Sequence, residues 1–267
     1  MYFLKFSAIS LATVILLLLT TFSPSQSQPA TPQENSSINA SKDPYDFTGD
    51  GRSGRRTSGG SRGDCSQLDS ESELTALIPT SNWGKTVAES PSWWFYVPYS
   101  TEQTPIGVFV LQDEDYNDIY RARFSLPASS PGLMRVSLPE EESPLAAGES
   151  YRWQINLYCN PEATSAPIYV SGWIERVIPN EKLTRELDQN TTSEYEVYAR
   201  EGIWFDAMND LARQRLDNPS DPTLIEDWQQ LLEIEGVELG QLKEASILGK
   251  VKLEENSRVK TDFRDER

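Results

Sequence analysis

The chain contains no histidine. That absence removes Ser-His-Asp and Cys-His nucleophile chemistry, His-ligated zinc and imidazole-based pH sensing. Cysteine is nearly absent as well. Cys65 and Cys159 are the only two, too few for a four-cysteine zinc site or an iron–sulfur cluster. Positive charge is scarce: 24 basic residues stand against 41 acidic ones, for a net charge of −17. A chain this acidic repels nucleic acid and anionic lipid headgroups as a whole, so neither is an expected partner. No cofactor motif is present. An enzyme built from these residues would depend on carboxylates, Lys, Tyr, Ser or an oxygen-ligated metal.

Long apolar runs are absent beyond the N-terminus. Phe6 to Leu19 is a 14-residue apolar stretch preceded by a single charge, Lys5. It suits the apolar region of a secretory signal peptide and falls short of the ~20 residues that span a bilayer. Small residues Ser25 and Ser27 place cleavage after Ser27, giving a signal peptide over 1–27. Thr20, Thr21 and Phe22 could instead lengthen the run into an uncleaved anchor. Cleavage would leave a periplasmic or secreted chain of net charge −18, with no stable membrane insertion. In an oxidising compartment the pair Cys65 and Cys159 is expected to form a disulfide; two buried free thiols are the alternative.

Residues 28–64 are rich in Ser, Gln, Pro, Gly, Asn and Thr and read as a disordered linker. Its stretch from Gly51 to Gly63 is basic, with Arg52, Arg55, Arg56 and Arg62 among glycines. It reads as a solvated tether or as an arm for an anionic partner. From 65 to 178 short apolar runs recur between turn signals: Leu74–Ile78, Trp93–Val97, Val108–Gln112, Ile119–Leu126, Leu133–Leu138, Tyr151–Cys159 and Ile168–Val177. About seven strands in this span predict an antiparallel β-sandwich. Tyr151–Cys159 alternates, with Arg152, Gln154 and Asn156 on the polar face. Trp93–Val97 is apolar on both faces, so something besides a second sheet must cover it.

The expected cover is residues 179–249. Leu183, Leu187, Tyr195 and Tyr198 recur at helical spacing, as do Ile203, Ala207 and Leu211. Asp221 before Pro222 marks another helix start, and Gly236 its end. Residues 250–267 read as a disordered charged tail. The expected fold is therefore mostly β with α: a sandwich with a helical hairpin docked on it.

Two resemblances follow from particular residues. Tyr198, Gly202, Ala207 and Pro219 fall on the first-helix aromatic, inter-helix glycine, second-helix small residue and closing proline of a tetratricopeptide repeat. Tyr195 and Gln214 stand where that pattern has small residues. The mature chain, over about 52 to 248, is similar to a family of exported cyanobacterial proteins known as domain of unknown function 928. The residues that carry this likeness are Gly54-Arg55-Arg56, Arg62-Gly63-Asp64-Cys65, Leu74-Thr75-Ala76-Leu77, Trp94 to Tyr99, Val110-Leu111-Gln112-Asp113, Ser150-Tyr151-Arg152-Trp153, Gly172-Trp173 and Gly202 to Ala207. The resemblance implies a layout and a compartment, and no activity.

Three constellations are candidate sites. Asp113, Asp115 and Asn117 have the i, i+2, i+4 spacing of a calcium loop's first ligands, but Asp118 and Phe124 stand where such a loop has Gly and Glu. The plainer reading is a hairpin turn. Trp94, Tyr96 and Tyr99 could stack on sugar rings, or could be core. Glu140-Glu141-Glu142 could hide a carboxylate pair, or be a solvated loop. The leading expectation is a non-enzymatic envelope protein that binds a protein partner. A carbohydrate-binding module is the alternative, and a carboxylate hydrolase the third.

Overall fold

All seven of the apolar stretches hold strands, and three strands that the pattern does not mark join them. The computed structural model describes residues 45–59, 63–68, 73–140, 145–189 and 192–254. The elements are β1 (Thr75–Ala76), β2 (Trp83–Thr86), β3 (Ser92–Val97), β4 (Ile106–Gln112), β5 (Asp118–Ser125), β6 (Gly132–Ser137), β7 (Ser150–Tyr158) and β8 (Ile168–Arg176). Four helices follow: α1 (Glu181–Gln189), α2 (Glu194–Arg200), α3 (Trp204–Asp217) and α4 (Pro222–Glu233). Two short strands, β9 (Ile247–Lys250) and β10 (Lys252–Leu253), come last. The signal peptide at 1–27, residues 28–44 of the linker and residues 255–267 of the tail lie outside the described residues.

The strands form two sheets, ordered β1-β3-β6-β9 and β10-β5-β4-β7-β8-β2. Their inner faces share one core, in which Trp93 meets Phe109 at 4.7 Å and Phe95 meets Phe124 at 6.0 Å between ring centroids. The purely antiparallel sandwich expected of the sequence is corrected in one respect: both sheets are mixed. β2 runs parallel to β8, and β9 parallel to β6. The reason is connectivity. Both strands reach their partners through long excursions, which parallel pairing requires and hairpins do not allow. Their sequences, Trp-Gly-Lys-Thr and Ile-Leu-Gly-Lys, carry no alternation that would announce them.

The stretch read as a linker is corrected over its described part. Phe47 is buried, edge-on to Trp204 at 4.9 Å. Arg55 exchanges two backbone hydrogen bonds with Ser171 of β8, at 2.9 and 2.8 Å. One residue on, the Arg56 carbonyl accepts from Ala76 N–H of β1 at 2.8 Å. Residues 55–58 thus close the side of the sandwich where β8 and β1 would lie open. Polar and glycine-rich residues can do this because the bonds are made by backbone. The Arg56 side chain turns inward and donates to the Val237 carbonyl; burial lowers its pKa to about 10. On the opposite side β9 and β10, separated only by Val251, complete the two sheets in turn. The boundary expected at 249/250 therefore falls inside a sealing segment.

Cys65 sits in a 3-10 turn over Gly63–Cys65, fully buried, and forms a disulfide with Cys159 just beyond β7, Cα to Cα 5.3 Å. Helices cover β3 as its two apolar faces require. Phe95 points to the second sheet, while the Trp94 indole N–H, on the other face, donates to Asn209 of α3 at 3.3 Å. α4 begins as its sequence says, with the Asp221 carboxylate accepting from the N–H groups of Thr223 and Leu224. Gly202, at φ +69°, makes the left-handed turn between α2 and α3.

Asp206, in the first turn of α3, keeps some surface in solvent but aims its carboxylate at the end of β2. It accepts from Val87 N–H at 3.2 Å and from Thr86. Desolvation outweighs these bonds and raises its pKa to about 6. The unfolded chain loses this proton near 3.8, so between the two values the folded state holds a proton that the unfolded state lacks. Its stabilisation is complete below about pH 4 and is lost as pH rises through about 6. In Asp206→Asn this loss should vanish. The stability difference between wild type and variant, from urea melts, should shift by up to ~3 kcal/mol between pH 3.5 and 7. A difference that does not change with pH would refute this account.

Candidate functional site

Of the aromatic group singled out from the sequence, Trp94 lies against α3. Trp94 and Tyr99 are buried, and Tyr96 is half-buried against the core. Arg135 lies over the Trp94 ring at 5.9 Å and shares the Asn209 side chain with it. These rings are packing groups in the observed state. The calcium-like loop is also committed elsewhere. Both Asp113 carboxylate oxygens accept from Asn117, one from its backbone N–H at 2.8 Å and the other from its side-chain amide at 2.9 Å. These bonds lower the Asp113 pKa. Asp115 is exposed, and no cluster of three or more potential carboxylate, Cys or His ligands occurs among the described residues. Glu141 and Glu142 lie outside the described residues.

What the 113–117 turn does is hold Tyr116. This residue sits at φ +67°, a conformation unusual for a bulky side chain, with 56% of its surface exposed. Its ring meets Trp173 edge-on at 6.3 Å. Both belong to the outer face of the six-stranded sheet, turned away from the shared core.

Register fixes the composition of that face. Val108 lies between Arg123 on β5 and Asn156 on β7, and Val110 between Arg121 and Gln154. Gln112 stands opposite Arg152, which stands opposite Trp173 on β8, which pairs with Trp83 on β2. The residues between them along each strand, including Phe109, Ala122, Trp153 and Ile155, point into the core. Segment 52–55 adds two arginines along β8: Arg52 over the Trp173 ring at 5.0 Å and Arg55 over the Tyr169 ring at 4.7 Å. Arg152 lies 5.5 Å from the Tyr116 ring and donates to Gln112 at 2.7 Å. The result is an array of rings and guanidinium groups, bordered at one end by the acids Asp113, Glu114, Asp115 and Asp118.

The charges on this face are unevenly matched. Arg121 is paired with Asp118 at 2.6 Å, Arg52 with Glu114 at 3.5 Å and Arg123 with Glu254 at 3.9 Å. Among the described residues Arg55 and Arg152 form no ion pair. In a chain with 41 acids, these two arginines without an ion pair among the described residues are local exceptions. A separate cavity of about 260 Å³ lies between residues 46–48, β2 and the α2–α3 turn. Its Lys85 and Arg200 are balanced by Asp46 and Glu201, so it presents no such exception.

Four of the motifs that carry the family likeness meet here: Gly54-Arg55-Arg56, Val110 to Asp113, Ser150 to Trp153 and Gly172-Trp173. The sequence held one signal of the face. Arg121 and Arg123, like Arg152 and Gln154, stand at the outward positions of two alternating strands. What it could not show is that β4 lies between those strands and that the 52–55 segment joins them. A family model described as Domain of Unknown Function (DUF928) matches residues 57–247. No curated protein matches the chain.

Proposed function

From a chain that belongs to the domain of unknown function 928 family, we propose an exported, non-enzymatic binding protein whose recognition surface is the outer face of the six-stranded sheet. The ligand is a glycan. The observation that carries this reading is Tyr116: an exposed ring, held at positive φ by a hydrogen-bonded turn and edge-on to the buried Trp173. Rings that present a face and a polar tip are what pyranose stacking needs. The signal-like residues 1–27 and the disulfide support export.

The helical layer supports the protein-partner reading less well. The apolar faces of α3 and α4 are buried, through Trp204, Phe205, Leu211, Trp228 and Leu232. The tetratricopeptide-like reading of 195–219 keeps only outward residues for a partner, of which Leu216 is 41% exposed.

Retention on immobilised polysaccharide tests the proposal. Tyr116→Ala and Tyr169→Ala should each weaken retention by about tenfold, with the melting temperature unchanged within a few degrees. Loss of a protein partner in Leu216→Glu, with both tyrosine variants unaffected, would return the function to the helices.

A further inference from the structure

Resting on that glycan-binding reading, we infer that the ligand is a carboxylated polysaccharide, bound between Arg55 and Arg152. Guanidinium groups are weakly hydrated planar donors that match a carboxylate with two parallel bonds, and they stack on rings without losing those donors. Arg55 and Arg152 are both placed in this way, against Tyr169 and Tyr116. Neither has a carboxylate within the described residues, and Arg152 donates from one nitrogen to the neutral amide oxygen of Gln112. The three neighbouring arginines show which anion this face accepts: Arg52, Arg121 and Arg123 each hold a carboxylate of the chain itself. A polymer carrying a carboxylate on successive sugars would supply the same group to the two that lack it, while its rings meet the tyrosines. Opposite charge also explains how such a polymer finds one face of an otherwise repelling molecule. Long-range repulsion from the acidic remainder is screened at physiological salt, whereas short contacts at the face persist.

The test uses the full chain with polygalacturonate and neutral dextran as probes, by titration calorimetry at about 0.05 and 0.5 M salt. The expected result is preference for polygalacturonate, weakened at high salt. The double variant Arg55→Gln and Arg152→Gln should bind polygalacturonate about tenfold or more weakly, with a flatter salt dependence. Arg152→Lys, which keeps the charge and loses the fork, should fall between. Melting curves check that each variant is folded. Equal affinity for the two probes would overturn the charge inference while leaving glycan binding in place. No affinity for either probe would overturn both. Two further results would also refute the carboxylated glycan: tighter, arginine-dependent binding of double-stranded DNA, and arginine-dependent self-association in sedimentation without any polysaccharide.

Discussion

Trimmed to residues 57–247, the span of the family match, the chain should lose cooperative unfolding and aggregate, while residues 45–254 should melt like the full chain. The trimmed ends are the two seals of the sandwich. On one side the cut removes Phe47 from beside Trp204, the Arg55 pairing with Ser171 and the Arg56 carbonyl that Ala76 uses. On the other it removes β10, Val251 and all of β9 but Ile247. Burying one side chain such as Phe47 or Val251 contributes about 1.5–3 kcal/mol. With the lost backbone pairing, the total reaches roughly 5 kcal/mol or more, against a typical domain stability of about 5–15 kcal/mol. The edges of β5, β6 and β8 would then present unpaired N–H and C=O groups to other copies. Calorimetry and light scattering on the two lengths decide the matter. If 57–247 melts within a few degrees of 45–254 and stays monomeric, the sealing role is refuted.

Reducing the Cys65–Cys159 bond should have the second largest effect. The two residues are 94 apart in sequence, and freeing a loop of that length costs about 4–5 kcal/mol in the chain-entropy account. For a domain of this size that is a fall of roughly 10–15 °C in melting temperature. The bond also ties the 3-10 turn that follows the 45–59 segment to the end of β7, so its loss should loosen that segment first. Protease cleavage between 45 and 68, measured with and without reductant and in Cys65→Ser with Cys159→Ser, reads this directly. Equal melting temperatures in reduced and oxidised protein would contradict it.

The sequence showed the fold best where side chains alternate or recur. β7 was legible because Tyr151, Trp153, Ile155 and Leu157 face inward in turn, and α4 because Asp221 and Pro222 mark its start. The demand of β3 for cover on both faces led to α3. Where backbone alone does the work, composition gave no sign. Residues 55–58 are polar and β10 is only two residues long, yet they pair with sheet edges because any residue with an N–H and a C=O can. The proposed site was half legible for a similar reason. Arg121 and Arg152 were outward by parity, but strand order, which decides that they share a face with Trp173, is a property of the whole sheet. The exposed-ring reading of Trp94 and Tyr99 failed because aromatic residues at a two-faced strand are packing groups.

The placement of β9 and β10 has a consequence for the order in which the molecule can be made. Both pair with strands synthesised more than a hundred residues earlier, Ile247 with Leu133 and Leu253 with Phe124. While the chain is emerging, β6 and β5 wait without their outer neighbours, and the sheets can be completed only when residues 250 and 253 are free. Pairing at such sequence separations is intrinsically slow.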